Sequence, residues 1–287
     1  YYAGRWSLDG GDETTALNML EDFGALSTPI ALAPASAVGR VYDGFLDYGF
    51  GHDTGLGEDE GWPPAVIAVD GVPEPAVSLH AALGVAQVEA ALSMATSSLV
   101  DEGQVGVGQS LAAFGVRAGI GTASRRVDGG TVGVLVAANG GEPQRLSVNG
   151  IPVGRWLAGQ TALPPSRRRT FAAVIMTDAP LLPGQLNRLA LRAAFGLIRV
   201  GLVDEQTTTG TILAVSTTGL DDDMPGLAAG TVTARQTPEA GLPALFAAAA
   251  DAGEEGVLNA IVAAHAQNTT SGVPGLAIDA FRGAASP

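Results

Sequence analysis

An α/β layered fold is what this chain predicts, from three observations. Apolar runs of strand length alternate with segments of helical periodicity. The glycine-rich stretch Gly103–Gly108 follows no clear strand, so it is not a dinucleotide fingerprint. At 287 residues the chain is long enough to bury a large core as one domain.

Taken in order, residues 1–28 are mixed, and Asp9-Gly10-Gly11-Asp12-Glu13 reads as a turn. A strand is expected at 29–32. Ser36 can then cap a helix reaching about Tyr48, with Val38, Val41, Phe45 and Leu46 on one face. Residues 49–64 form a glycine- and acid-rich loop carrying His52, and its length favours a rim position. The run 65–69 reads as a short buried strand ending at the turn signal Asp70-Gly71. Residues 75–99 read as a helix with few charges, expected to be buried on more than one side. The segments 116–127 and 131–138 flank Asp128-Gly129-Gly130 and read as a hairpin. A short strand is expected at 145–148, followed by the turn Asn149-Gly150. The loop 159–169 carries Pro164-Pro165 and three consecutive arginines.

The loop stops at Thr170, and an apolar run of strand length follows it until Asp178-Ala179-Pro180 turns the chain. A threonine that opens a buried strand is by itself only a residue of good strand propensity. A helix is expected at 184–200, with Leu186, Leu189, Ala190, Ala193, Leu197 and Ile198 buried, Arg188, Arg192 and Arg199 off that stripe, and Gly201 ending it. Residues 211–215 read as a strand and Asp221-Asp222-Asp223 as a solvated loop. Two alanine-rich helices, about 242–252 and 254–267, complete the chain.

Composition narrows the chemistry. Hydrophobic residues make up 46% of the chain and aromatics only 5%, so the core is built from Ala, Val, Leu and Ile. All 15 cationic residues are arginine, which removes lysine as a base or Schiff-base former. The formal charge of −14 argues against nucleic acid or an anionic membrane surface as a partner and favours cationic substrates such as free amines. Without cysteine there is no disulfide or thiolate site. His52, His80 and His265 lie far apart and lack metal-site spacing, so neither a metal nor a cofactor is expected. No apolar run approaches the ~20 residues of a membrane span. No signal peptide is visible, which favours the cytoplasm, and because the chain begins at Tyr1 without Met its true amino terminus is expected to lie further upstream.

Several motifs occur in a fixed order: Thr28-Pro29-Ile30-Ala31-Leu32 with Ser36-Ala37-Val38-Gly39; Gly119-Ile120-Gly121-Thr122-Ala123-Ser124-Arg125; Thr131-Val132-Gly133-Val134-Leu135-Val136 through Ala138-Asn139; Thr177-Asp178-Ala179-Pro180-Leu181-Leu182-Pro183 with Gln185-Leu186; and Glu254-Glu255 with Val257-Leu258-Asn259-Ala260. In this the chain resembles the L-aminopeptidase/D-esterase (DmpA-like) family of self-processing hydrolases, which includes the β-peptidyl aminopeptidases and the nylon-oligomer hydrolases. The resemblance covers most of the chain and sharpens the fold to an αββα sandwich, two stacked sheets flanked by helices. Compared with the family, the chain is expected to lack a substantial N-terminal segment.

The resemblance implies that the chain cuts itself between Arg169 and Thr170, giving an α fragment of residues 1–169 and a β fragment of residues 170–287. Thr170 would then be an N-terminal nucleophile whose freed α-amine serves as general base, with Asn139 donating to the oxyanion. It implies an amide hydrolase acting on small peptides or amides with a free amino end, assembled as a homo-oligomer. Four positions depart from the family pattern. Val69 stands where members carry a tyrosine, and Arg117 where they carry a lysine, keeping the charge but not the exchangeable proton. Thr209-Gly210-Thr211 stands where a carboxylate is usual, and Arg169 replaces a small or amide residue before the cut. Arg117, Thr209 and Thr211 are expected to line the pocket. Those departures leave open a second expectation, a relative that has lost catalysis and keeps a structural or assembly role.

Overall fold

In the computed structural model the residues described are 1–10, 13–58, 61–71, 76–157, 169–204, 208–218 and 234–265. Most of the arginine-rich loop before Thr170, the triple-aspartate loop at 221–223 and the last residues of the expected C-terminal helix lie outside them. The central sheet has five strands in the order β1-β9-β8-β7-β6, namely β1 (Tyr2–Leu8), β9 (Thr208–Ser216), β8 (Arg169–Thr177), β7 (Gly130–Ala137) and β6 (Ile120–Val127). Only β8 and β9 run parallel; the other pairs are antiparallel. The crossover from β8 to β9 is the helix α6 (Pro183–Val200), as a parallel pair requires.

Side chains alternate across the sheet. On one face Phe171, Ala173, Ile175, Ile212 and Ala214 pack under α6 and the long helix α7 (Leu242–His265). On the other, Ala137, Ala172, Leu213 and Val215 meet Ile67 and Val69 from the second, parallel sheet of β2 (Ile30–Ala33) and β3 (Ala65–Ala68). Helix α2 (Val38–His52) covers that sheet through Val38, Val41 and Phe45. The layers are therefore helix, sheet, sheet, helix, the expected αββα sandwich.

Helix α6 starts with Pro183 at its first turn, where Gln185 accepts from the Leu182 N–H at 3.1 Å and donates to the Thr237 carbonyl at 2.8 Å. It ends at Gly201, whose φ of 87° is the left-handed conformation of a helix terminus. Leu186, Leu189, Ala190, Ala193 and Leu197 are fully buried, but Ile198 is half exposed, one position off the stripe that faces the sheet.

Other expectations need correction. Residues 2–8, unassigned in the sequence, form the edge strand β1, paired along its length with β9 and bridged on its other side only at Tyr2, to Ala25, among the described residues. Ser36 does not cap α2. It lies in the short 3₁₀ turn Ala35–Ala37, and α2 begins without a side-chain cap and runs on to His52. The expected helix at 75–99 is two short helices, α3 (Ala76–Ala82) and α4 (Val85–Ser93), broken at Leu83-Gly84. Of α4 only Val88 is buried, so its low charge does not mark burial. The strand expected at 145–148 is a 3₁₀ turn, Pro143–Arg145, followed by one bridge, Val148 to Ile151, around Asn149-Gly150.

The first strand of the expected hairpin is divided into β5 (Val116–Arg117) and β6 by Ala118-Gly119. Gly119 lies so close to the Gly103 carbonyl that a Cβ would meet it at 1.9 Å. The two expected C-terminal helices are one, α7. Gly253 does not break it, because a Cβ there would come within 2.8 Å of the Ala193 carbonyl, and one at Gly196 within 2.0 Å of the Ala250 carbonyl. Both glycines let α6 and α7 approach backbone to backbone, a gain that offsets their poor helix propensity.

Candidate active site

Thr170 is the second residue of β8 and is 3% exposed. Its in-register partner on β9 is Thr209, and the residue before it, Arg169, pairs with Thr208. The start of β9 is itself pinned. Asp204 and Thr208 exchange hydrogen bonds, with the Asp204 N–H donating to Thr208 Oγ1 at 3.1 Å and the Thr208 N–H to Asp204 Oδ1 at 3.3 Å.

On the other side of β8, the register with β7 ends at the pair Ala137 and Ala172. Continuing that register by two residues along each strand leads to Asn139 and Thr170, so they stand opposite one another just past the ladder. The chain leaves the sheet there because Gly140 and Gly141 both adopt positive φ, 102° and 71°, which only glycine adopts freely. Gly140 instead pairs with β4 (Ala112–Ala113), donating to the Ala112 carbonyl and accepting from Phe114 N–H. The side chain of Asn139 takes over where the backbone departs. Its Nδ2 donates to the Thr170 carbonyl at 2.9 Å and to the Asp70 carbonyl at 2.6 Å.

Asp70 completes the group. It follows β3, and its backbone N–H donates to Thr170 Oγ1 at 3.2 Å. Its carboxylate Oδ1 accepts from the Ala35 N–H at 2.8 Å. The sequence marked Asp70-Gly71 only as a turn, and the one signal of anything more was its place directly after a short buried strand. The fold thus brings a hydroxyl, a primary amide and a backbone N–H outside any sheet ladder together from three separate strands. Asn139 is fully buried, and its Oδ1 has no hydrogen-bond partner among the described residues. Both Nδ2 hydrogens are already engaged with carbonyls, so Asn139 can serve a new oxyanion only by exchanging one of them.

The remaining expected residues lie at different distances from this centre. Thr209 is directly alongside Thr170 in the sheet. Thr211 is 1% exposed and its hydroxyl pairs at 3.3 Å with Ser7 Oγ on β1, which in turn accepts from Arg5 Nη1 at 3.1 Å. Its polar contact is thus with the edge strand. Arg117 ends β5, two residues ahead of Gly119, whose carbonyl accepts from the Ala138 N–H next to Asn139. Val69 is fully buried in the core between the sheets and donates its N–H to the Ala33 carbonyl. A surface cleft of about 530 Å³ opens beside β1, lined by Arg5, Trp6, Glu21, Phe23 and Asn187 among others. It includes none of Thr170, Asn139 or Asp70, so the hydrogen-bonded cluster, not this cleft, marks the site.

His52 bonds to the Tyr48 carbonyl within its own helix, and His80 to the Ser36 carbonyl and Arg40. Both are exposed, and these contacts do not involve Thr170, Asn139 or Asp70. Among the described residues no group of His, Asp and Glu could hold a metal ion, and no helix is long and apolar enough to cross a membrane.

Two stacked sheets between helices are an arrangement this chain shares with a solved structure described as a variant of the N-terminal-nucleophile hydrolase fold. That structure, the L-aminopeptidase D-Ala-esterase/amidase from Ochrobactrum anthropi, superposes with a TM-score of 0.87 at 28% identity, covering 99% of this chain and 80% of that one. Within the class the chain belongs to Peptidase family S58, whose family model matches residues 1–274. It is 35% identical over 303 aligned positions to the beta-peptidyl aminopeptidase BapA of Sphingosinicella microcystinivorans, spanning 96% of this chain and 72% of that protein. A β-aminopeptidase from Burkholderia sp. is 35% identical, with a TM-score of 0.86 over all of this chain and 82% of the other.

Proposed function

We propose that this chain is a self-processing aminopeptidase in which Thr170 becomes an N-terminal nucleophile acting on small peptides or amides with a free amino end. The observation that carries this reading is the placement of Thr170 Oγ1 on the Asp70 N–H with Asn139 bound to the same threonine's carbonyl, in a chain of Peptidase family S58.

In the processing step Thr170 Oγ1 adds to the Arg169 carbonyl carbon. The Arg169–Thr170 C–N bond breaks, the amine nitrogen takes up the hydroxyl's proton, and an ester joins Arg169 to Oγ1. Water hydrolyses that ester, leaving a carboxylate on Arg169 and an α-amine on Thr170. In turnover the amine accepts the Oγ1 proton as the hydroxyl attacks the substrate carbonyl. The leaving amine departs with that proton, and water releases the acyl group. The Asp70 N–H, 3.2 Å from the nucleophilic oxygen, holds that oxygen, and Asn139 is the oxyanion donor. The unmatched Asn139 Oδ1 is an acceptor available to the new amine.

Thr209 and Arg117 belong to the rim of this site in the same reading, and Thr211 supports it from the β1 side. A homo-oligomer is also part of the reading, on the resemblance to the family.

Intact mass of the purified protein under denaturing conditions tests the proposal. Two fragments meeting at Arg169/Thr170 are expected, and a single chain of 28.8 kDa would reject it. The processed enzyme should also lose kcat/KM on the acid side, as the α-amine base gains a proton. The acid limb is expected near the ordinary α-amine range of ~7.7 to 8.0. A profile flat from pH ~6 to ~9, which spans that range, would exclude the amine as base.

A further inference from the structure

We infer that Asp70 is a positioning residue of this site, tying the nucleophile and the amide to the second sheet. The inference rests on the reading of Thr170 given above. Asp70 uses three groups at once. Its N–H holds Thr170 Oγ1 at 3.2 Å, its carbonyl holds Asn139 Nδ2 at 2.6 Å, and its carboxylate is held by the Ala35 N–H at 2.8 Å.

The first two contacts orient reacting groups, while the third anchors the residue that makes them. Ala35 opens the 3₁₀ turn that leads from β2 into α2, so the carboxylate joins Asp70 to the layer behind the site. The neighbours on each side are locked as well. Val69 is fully buried with its N–H on the Ala33 carbonyl, and Gly71 packs so tightly that a Cβ would lie 2.0 Å from the Ser110 carbonyl. With both flanks fixed, the carboxylate sets the direction of the Asp70 N–H. That direction also determines the state of the hydroxyl. Because Thr170 Oγ1 accepts from a backbone N–H, that contact does not use the hydroxyl's own proton, which is the one a base must take.

Neither contact to the reacting groups uses the Asp70 side chain, which acts by anchoring the backbone through its bond to the Ala35 N–H. What matters is an acceptor oxygen at Oδ1. Asparagine keeps that oxygen and alanine does not.

The experiment compares wild type, Asp70→Asn and Asp70→Ala in the full chain. It follows the appearance of the two fragments by mass, kcat and KM on an alanyl anilide, and Tm. Asp70→Ala is expected to slow both processing and kcat by about 10- to 100-fold with KM little changed, the effect of misplacing reacting groups by a fraction of their contact distance. Asp70→Asn is expected to stay within about threefold of wild type, since its side-chain carbonyl can accept from the same N–H. Ala35→Pro gives an independent route should Asp70→Ala fold poorly. It removes the N–H donor at a first-turn position that suits proline, after a residue whose ψ of 143° tolerates it, and is expected to slow processing and kcat in the same way.

Wild-type processing and kcat in both Asp70→Ala and Ala35→Pro, with only Tm changed, would overturn the inference. So would an Asp70→Asn variant as slow as Asp70→Ala. An uncut wild-type chain is a different result: it refutes the Thr170 reading itself and is seen before any variant is compared.

Discussion

Thr170→Ala is expected to remain one uncut chain and to lose amidase activity by about 10⁴-fold or more, the scale of removing a nucleophile that acts as a unit with its base. Two losses coincide in this variant. Without Oγ1 nothing adds to the Arg169 carbonyl, so the peptide bond survives, and with the bond intact no α-amine appears to act as base. The fold should persist. Among the described residues the Thr170 side chain makes one hydrogen bond, from the Asp70 N–H, and losing it costs about 1 kcal/mol in a strand otherwise held by its full register with β9. Thr170→Ser keeps the hydroxyl and should still cut. The measurement is intact mass together with turnover of an aminoacyl anilide. Fragments meeting at residue 170 in the alanine variant would show that another group breaks the chain.

The second large effect is expected at Asn139. Asn139→Ala should lower kcat by about 100- to 1,000-fold, the usual consequence of removing one oxyanion donor. It should also be destabilising, because two carbonyls, those of Asp70 and Thr170, lose their shared donor inside a site where Asn139 is fully buried. An unsatisfied buried group costs roughly 1–3 kcal/mol. Asn139→Asp separates packing from hydrogen bonding. The carboxylate is nearly isosteric but cannot donate when ionised, and it faces two carbonyl oxygens, so it should be no better than alanine. Processing time courses, steady-state kinetics and urea unfolding check this. An Asn139→Asp variant that processes and turns over at the wild-type rate would remove the donor role.

Two residues of the candidate site, Thr170 and Asn139, stood out in the sequence one by one. Thr170 stood at the change from polar loop to apolar run, and Asn139 stood at the end of the second hairpin strand before two glycines. What could not be read was that they meet. Asn139 and Thr170 are 31 positions apart, and their opposition follows from the antiparallel register of β7 and β8, which no local pattern encodes. Asp70 was harder still. Its contribution to the reacting groups is made by backbone N–H and carbonyl, which every non-proline residue possesses, so residue identity carried no signal.

The misassigned elements have similar causes. Arg5-Trp6-Ser7 lacks the alternation of a half-buried strand because all three residues of this edge strand are partly buried. Gly253 looks like a helix breaker until α6 lies against it, and then the missing Cβ is what allows the contact. The 75–99 segment has the composition of a buried helix, yet α4 is covered on one narrow line at Val88.

By itself the sequence determined the layered class, the family and the hydroxyl at the head of an inner strand, because these rest on local periodicity and on motifs in a fixed order. The tertiary structure alone decided which groups share the site. Strand register brought Asn139 opposite Thr170, and sheet-on-sheet packing presented the Asp70 N–H to the Thr170 hydroxyl. Both are long-range pairings, set by how layers stack and not by any residue's own preference.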